Sequence, residues 1–156
     1  EILPRLQGRY PGPKDHGDGF STTALPFAFV FMDQKGSRYH EDLETLEQHG
    51  LLREGAVIVA DNVLKPGAPL YLWRVAGESL KHNSFHYDTE VVQLREFAMS
   101  SDDWVSVSVL RRRPQLEEPK FYQDWPQELL ALHQASDVMR SKAVGPHGVT
   151  FAEWSA

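Results

Sequence analysis

Residues 56–62 combine a short apolar run with two oxygen-bearing side chains that could bind a ligand. The run Ala-Val-Ile-Val-Ala is rich in β-branched residues and is followed at once by Asp61 and Asn62. This pattern predicts a strand buried on both faces, as in a parallel sheet. Open α/β sheets bind ligands beyond the carboxyl ends of their strands, and carboxylate and amide oxygens suit hard cations such as Mg2+ or Ca2+. The pair therefore predicts a cation site, with a simple turn as the alternative because Asp and Asn are common in turns.

A second carboxylate, Asp33, directly follows another apolar run, Phe-Ala-Phe-Val-Phe-Met at 27–32. Residues 40–49 lie between the two strands and have the apolar spacing of a helix. A strand, a helix and a strand over this length predict a βαβ unit, in which the strands are parallel neighbours. Their carboxyl ends then lie side by side, so Asp33, Asp61 and Asn62 are expected to converge at one point.

The remaining elements are predicted from apolar spacing and turn residues. Pro69 is well placed to begin a short helix that ends at Gly77. Residues 84–93 and 104–110 predict two strands, and the second alternates apolar residues with serine, as in one arm of an antiparallel pair. A further helix is predicted up to about residue 143. Its inward face is expected to contain Leu129, Leu132 and Met139.

Length and composition limit the class of protein. The 156 residues suffice for one ordinary domain, and no apolar run is long enough to cross a bilayer. The net charge of -6 argues against nonspecific nucleic-acid binding, so no nucleic-acid partner is expected. The absence of cysteine excludes disulfides, thiol catalysis and cysteine-bound zinc. The start lacks signal-peptide features, which favours an intracellular or organellar location over secretion but leaves the compartment open.

Several short segments together carry a family resemblance. The most specific are Ala-Asp-Asn-Val at 60–63 and Pro-Gly-Ala-Pro at 66–69. Gly-Leu-Leu-Arg-Glu-Gly at 50–55 and the opening Glu-Ile-Leu-Pro-Arg-Leu fit the same register. These segments resemble the catechol O-methyltransferase family. The resemblance covers roughly residues 1–111. The chain begins at Glu1 rather than Met, as expected for a processed product or a part of a longer polypeptide.

The resemblance implies both an activity and a fold. That family transfers a methyl group from S-adenosylmethionine (SAM) to a catechol hydroxyl, using Mg2+. The resemblance implies that Asp33, Asp61 and Asn62 bind the metal, and that Asn62 and Glu96 contact a catechol-like small molecule. The implied fold is α/β, the C-terminal half of a Rossmann-like SAM methyltransferase sheet. This half has about four strands with flanking helices, plus a helical C-terminal extension.

Two departures from the family pattern bear on activity. The family has a lysine as general base three residues after the first metal-binding aspartate, and here that position is Gly36. Lys35 is one residue early and takes this catalytic role only if the loop shifts. The SAM-binding half, with its Gly-rich first turn, is absent from this chain, because Gly-Asp-Gly at 17–19 follows no apolar strand.

Such a half-fold predicts an unpaired strand. Phe27–Met32 would become an open apolar edge, which is an aggregation liability, so another chain or segment is expected to complete the sheet there. Residues 1–113 are expected to form the methyltransferase-like half-domain, and residues 114–156 a helix and an aromatic tail that act as a docking arm. Two functions are compatible with this organisation. One is half of a methyltransferase, inactive alone, and the other is a non-catalytic, methyltransferase-like scaffold subunit of a larger complex.

Overall fold

The computed structural model describes residues 26–77, 85–95, 102–112 and 125–144, which form one open sheet with flanking helices. The strands are β1 (Phe27–Met32), β2 (Leu52–Ala60), β3 (Phe85–Arg95) and β4 (Asp102–Arg112). The helices are α1 (Tyr39–Gln48), α2 (Pro69–Ala76) and α3 (Gln127–Val144). This architecture confirms the predicted α/β class. Among the described helices, none has both the length and the apolar character needed to span a membrane.

The sheet is mixed, with the strand order β1-β2-β4-β3. β1 and β2 are parallel neighbours joined through α1, as the βαβ spacing predicts. β4 is antiparallel to both β2 and β3. Two consequences matter for function: β1 is an edge strand of the described sheet, and the start of β4 lies beside the carboxyl end of β2.

One face of the sheet packs against α1 and α2 and forms the core. α1 contributes Leu43 and Leu46, α2 contributes Tyr71 and Val75, and β2 contributes Ile58, each at most 3% exposed. Burying a side chain of this size stabilises a fold by about 1.5–3 kcal/mol. This covered face therefore supplies most of the apolar stabilisation that the described residues show.

A charged network crosses the covered face between α1, α2 and β3. The side chains of Arg74 and Glu47 are 6% and 0% exposed and form an ion pair. The Tyr87 hydroxyl donates a hydrogen bond to the other carboxylate oxygen of Glu47 at 2.5 Å. Buried charges are tolerated when they are paired and hydrogen-bonded, so these three residues fix the two helices against the sheet.

The opposite face is much less covered. Val57 and Val59 are only partly buried, and their neighbours in β1, Phe29 and Phe31, are 59% and 55% exposed. We call these four residues the bare face. The prediction that β2 is buried on both faces is therefore wrong for the described residues, because α1 and α2 both contribute to the core on the other side.

The helix α3 packs through a polar side, in contrast to the predicted apolar one. Leu132 is 56% exposed, whereas Ser136 is 7% exposed. Asp137 and Arg140, which share this side with Ser136, bond to the turns that follow β1 and β2. The predicted inward position of Leu132 is wrong, because polar contacts with these turns orient the helix.

Candidate functional site

The carboxyl ends of β1 and β2 lie side by side and lead into Asp33 and Asp61. Met32 and Ala60, the last residues of the two strands, are paired neighbours. The backbone N–H of Asp61 donates to the Met32 carbonyl at 2.9 Å, which continues the pairing past the end of β2. The two aspartates that the sequence predicts to converge are therefore placed at adjacent strand ends.

Asn62 turns the chain sharply after β2. Its backbone has φ 54° and ψ 35°, the left-handed conformation that Asn adopts more readily than most other residues. Its backbone N–H donates to Asp61 Oδ1 at 2.9 Å, and its Nδ2 donates to Asp103 Oδ1 at 3.1 Å. Neither bond uses the amide carbonyl oxygen, which is the atom that the resemblance implies as a metal ligand.

Asp103 is a residue of this cluster that the sequence reasoning missed. It lies near the start of β4, just before Ser106, which pairs with Ala60 of β2. Because β4 is antiparallel to β2, the first residues of β4 lie at the same edge of the sheet as Asp61. The sequence does show an acidic residue at the start of a strand with an antiparallel pattern. That this strand lies beside β2 could be learned only from the strand order of the sheet.

The carboxylates at this edge repel one another. Partial burial raises the pKa of Asp61, and the negative charges of Asp103 and Asp33 raise it further, while the hydrogen bond from the Asn62 N–H opposes the rise. A cation bound between such groups would offset their repulsion. The electrostatics of the edge therefore favour a positively charged ligand.

The donor chemistry of the predicted set suits Mg2+, since Asp33, Asp61 and Asn62 offer only oxygen atoms. Within the described ranges, no group of three or more acidic, histidine or cysteine side chains is arranged to hold a metal ion. The three carboxylates at this edge, those of Asp33, Asp61 and Asp103, are therefore not arranged as such a group. The metal-binding role of these residues stays a prediction.

The loop after β1 is attached to α3. Asp137 accepts a hydrogen bond from the Ser37 hydroxyl at 2.8 Å, and its carboxylate lies 3.2 Å from Lys35 Nζ. The amine of Lys35 is thus bound by a carboxylate of the C-terminal extension. Its role as general base stays a prediction and would require this loop to move.

Two glycines form a slot that receives α3, and we call Gly36 and Gly67 the glycine slot. A Cβ atom at Gly36 would lie only 2.0 Å from Arg140 Nη2. The same Nη2 donates a hydrogen bond to the Gly67 carbonyl at 2.5 Å. A Cβ atom at Gly67 would lie 3.1 Å from the Ser136 hydroxyl. The space beside residue 36 is therefore occupied by the guanidinium of Arg140, reached from another element.

Tyr39 is a buried tyrosine that is coupled electrostatically to both the acidic cluster and the glycine slot. The residue is 1% exposed, and burial raises the pKa of its hydroxyl to about 12. The positive charge of Arg140 lowers this pKa, whereas Asp33 and Asp61 raise it. The hydroxyl is therefore within electrostatic range of both the acidic residues and Arg140, and it is uncharged at neutral pH.

Parts of the predicted organisation lie outside the described residues. Glu96, which the resemblance implies as a catechol contact, is one of them, and so is the aromatic tail at 145–156. In the extension that is described, Trp125 is partly buried and meets the ring of His40 edge-on, with 5.9 Å between ring centroids. The docking-arm role of the whole extension stays a prediction.

Known proteins resemble this chain over part of its length. No protein-family model matches it. Catechol O-methyltransferase of Bos taurus is 54% identical over 50 residues, which is 32% of this chain and 18% of that protein. A probable O-methyltransferase of Mycobacterium tuberculosis is 45% identical over 53 residues, 34% of this chain and 22% of that protein. A transmembrane O-methyltransferase homolog of Mus musculus is 46% identical over 72 residues, 46% of this chain and 23% of that protein.

The similarity is therefore strong but partial. The matched segments span between 18% and 23% of these three relatives, and from 32% to 46% of this chain. The chain resembles O-methyltransferases over that part, which supports the methyltransferase likeness drawn from the sequence.

Proposed function

We propose that this chain is the metal- and acceptor-binding half of a Mg2+-dependent O-methyltransferase of the catechol type. In this proposal it acts together with a SAM-binding segment or chain and is inactive alone. The observation that carries the proposal is the placement of Asp33 and Asp61 at adjacent strand ends, with Asn62 next to Asp61 and hydrogen-bonded to Asp103. The local identity of 45–54% to O-methyltransferases supports the same assignment.

Each residue of the cluster has a separate role in the proposal. Asp33 and Asp61 offer carboxylate oxygens from two strand ends, Asn62 offers an amide oxygen, and Asp103 orients that amide through its bond to Nδ2. A Mg2+ ion held there would supply the positive charge that favours ionisation of a catechol hydroxyl. The contribution of the chain is to hold the acceptor oxygen in a fixed position for methyl transfer.

The unpaired edge of the sheet supports the need for a second segment. Within the described sheet, β1 pairs only with β2, so the backbone polar groups on its other side are open to a further strand. Phe29 and Phe31 add exposed apolar surface beside that edge. In this proposal, the SAM-binding segment pairs with Phe27–Met32 and covers the bare face.

Calorimetric titration with Mg2+ tests the proposal. The isolated chain should bind Mg2+, and Asp61→Asn should abolish most of the binding because one of two carboxylate ligands is lost. Asp102→Asn is the matched control, because Asp102 is an exposed neighbour of Asp103 outside the cluster. The isolated chain should bind no SAM, with or without Mg2+. Micromolar SAM binding by this chain alone, or Mg2+ binding that survives Asp61→Asn, would contradict the proposal.

A second candidate function is a non-catalytic scaffold subunit of a larger complex. The observation that favours it is the glycine slot, where Arg140 lies over the position of the family's lysine. A scaffold would show no Mg2+ binding by the native chain, while Phe31→Ser on the bare face would weaken assembly with its partner. Mg2+ binding that depends on Asp61 would exclude this alternative.

A further inference from the structure

The guanidinium of Arg140 is placed beside the candidate site by an element outside the family resemblance. α3 inserts Arg140 between Gly36 and Gly67, which belong to the turns following β1 and β2. The slot depends on the absence of a side chain at residue 36, since a Cβ atom there would collide with Nη2. The chain therefore carries a cation at this point although residue 36 itself has no side chain.

Arg140 has more hydrogen-bonding capacity than the described residues use. Its Nη2 donates to a backbone carbonyl, and its Nε is buried without a hydrogen-bond partner in the described ranges. The nearby carboxylate of Asp137 is already bound by Ser37 and Lys35. A partly buried guanidinium is costly unless an anion or several acceptors match it. Its planar fork of donors is suited to a carboxylate or another oxyanion.

The geometry gives the site two poles of opposite charge. The acidic pole consists of Asp33, Asp61 and Asp103 at the strand ends, and the basic pole is Arg140 in the glycine slot. The basic pole is tied to the turn after β2, because Arg140 donates to the carbonyl of Gly67 and the Gly67 N–H donates to the carbonyl of Asn62 at 3.2 Å. The Tyr39 hydroxyl is within electrostatic range of Asp33, Asp61 and Arg140. A ligand that spans the poles would place hydroxyl oxygens, with a metal ion, at the acidic pole and a negative substituent at the basic pole.

We propose that Arg140 recognises an acidic substituent of the methyl acceptor, so that the acceptor is a catechol carrying a carboxylate or a similar oxyanion. This inference rests on the proposed function, because the catechol oxygens are assigned to the acidic cluster. It predicts discrimination against catechols with a positively charged side chain, which would meet the guanidinium with like charge. Arg140 acts here as a specificity determinant and takes no proton, since arginine stays protonated in proteins.

Three catechols of similar size and different charge test this assignment. The full chain, saturated with Mg2+, is titrated by calorimetry with 3,4-dihydroxybenzoate, 4-methylcatechol and 3,4-dihydroxybenzylamine. The acid should bind roughly tenfold more tightly than the neutral compound, as expected for one charge-assisted contact, and the amine should bind most weakly.

Variants separate the charge of Arg140 from its position. Arg140→Gln should abolish the preference, so that the acid and the neutral compound bind equally tightly. Gly36→Ala retains the arginine but pushes its end out of the slot, so it should reduce the preference as well. Lys142→Gln is the control, because it removes an exposed positive charge from the same helix. It should preserve the preference for the acid.

The outcomes distinguish a failure of the role assigned to Arg140 from a failure of the proposed function. Equal binding of acid and neutral catechol by the native chain, or a preference that survives Arg140→Gln, would overturn the role of Arg140 and leave the proposed function standing. No binding of any of the three catechols in the presence of Mg2+ would overturn the proposed function and the substrate class together. If Arg140→Gln fails to fold, as judged by circular dichroism, the native comparison and Gly36→Ala decide.

Discussion

The two faces of the sheet differ in how completely they are buried, although the same strands form both. In β2, Ala56, Ile58 and Ala60 are fully buried under the helices, while Val57 and Val59 between them are only partly buried. Successive apolar residues of β2 therefore point alternately into the core and toward the bare face, which exposes large hydrophobic side chains. Adjoining exposed apolar residues usually mark an interaction surface, so the bare face is compatible with the covering segment of the proposed function.

The largest difference in stability is expected between two variants that each remove an arginine from an ion pair with a carboxylate. Arg74→Ala should lower the free energy of unfolding by about 3–5 kcal/mol, because it leaves Glu47 buried without its counter-charge. Arg111→Ala removes the exposed pair with Asp88 and should leave the urea midpoint unchanged. Urea denaturation followed by circular dichroism measures both. Equal losses of stability in the two variants would show that burial of the ion pair does not determine its contribution to stability.

Adjacent residues of β2 allow a second comparison within a single strand. Ile58→Ala should cost about 2–5 kcal/mol, because it opens a cavity in the core. Val59→Ala, on the bare face, should cost less than about 1 kcal/mol in the isolated chain. If a partner covers the bare face, the cost of Val59→Ala should increase in the complex. A similar cost in the free chain and in the complex would argue against burial of this face.

Asp61→Asn, directly after the carboxyl end of β2, should stabilise the metal-free chain at neutral pH. The pKa of Asp61 is raised from 3.8 by burial and by neighbouring carboxylates. The folded state therefore holds this proton more tightly than the unfolded state does. The stability linked to the proton is fully present below pH 3.8 and is lost as pH rises through the folded-state pKa of Asp61. Asparagine does not ionise, so the variant avoids this loss. Melting temperatures of the variant should exceed the native values near neutral pH and converge with them in acid. The Asp102→Asn control should follow the native curve throughout, and a stabilised control would rule out this explanation.

The smallest effect on stability is expected on the bare face itself. Replacing Phe31 by serine should lower the free energy of unfolding by at most about 1 kcal/mol, because its side chain is 55% exposed. The same change should reduce self-association of the isolated chain in sedimentation velocity experiments. Leu132→Ser is the control, since Leu132 is similarly exposed, at 56%, but lies on α3. Equal effects of the two changes would mean that general hydrophobicity causes association.

Local patterns in the sequence were sufficient for the main elements. The apolar run at 27–32 matches β1, and Pro69 begins α2 as predicted. β2 and β4 begin earlier than predicted, at Leu52 and Asp102, because ladder hydrogen bonds continue through polar residues that carry no apolar signal. Element type thus followed from spacing, whereas strand ends depended on the pairing partner.

The sequence by itself determined that Asp33, Asp61 and Asn62 follow apolar strands in a βαβ unit, because strand period, helix period and connection length are local properties. Only the tertiary structure brought Asp103 to the same edge, since its position depends on the antiparallel return of β4 between β2 and β3. The insertion of Arg140 over Gly36 also depends on it, because the two residues are far apart in the chain and only the packing of α3 makes them neighbours. Long-range contacts of this kind are set by which surfaces fit together, and the spacing of residues along the chain does not encode that fit.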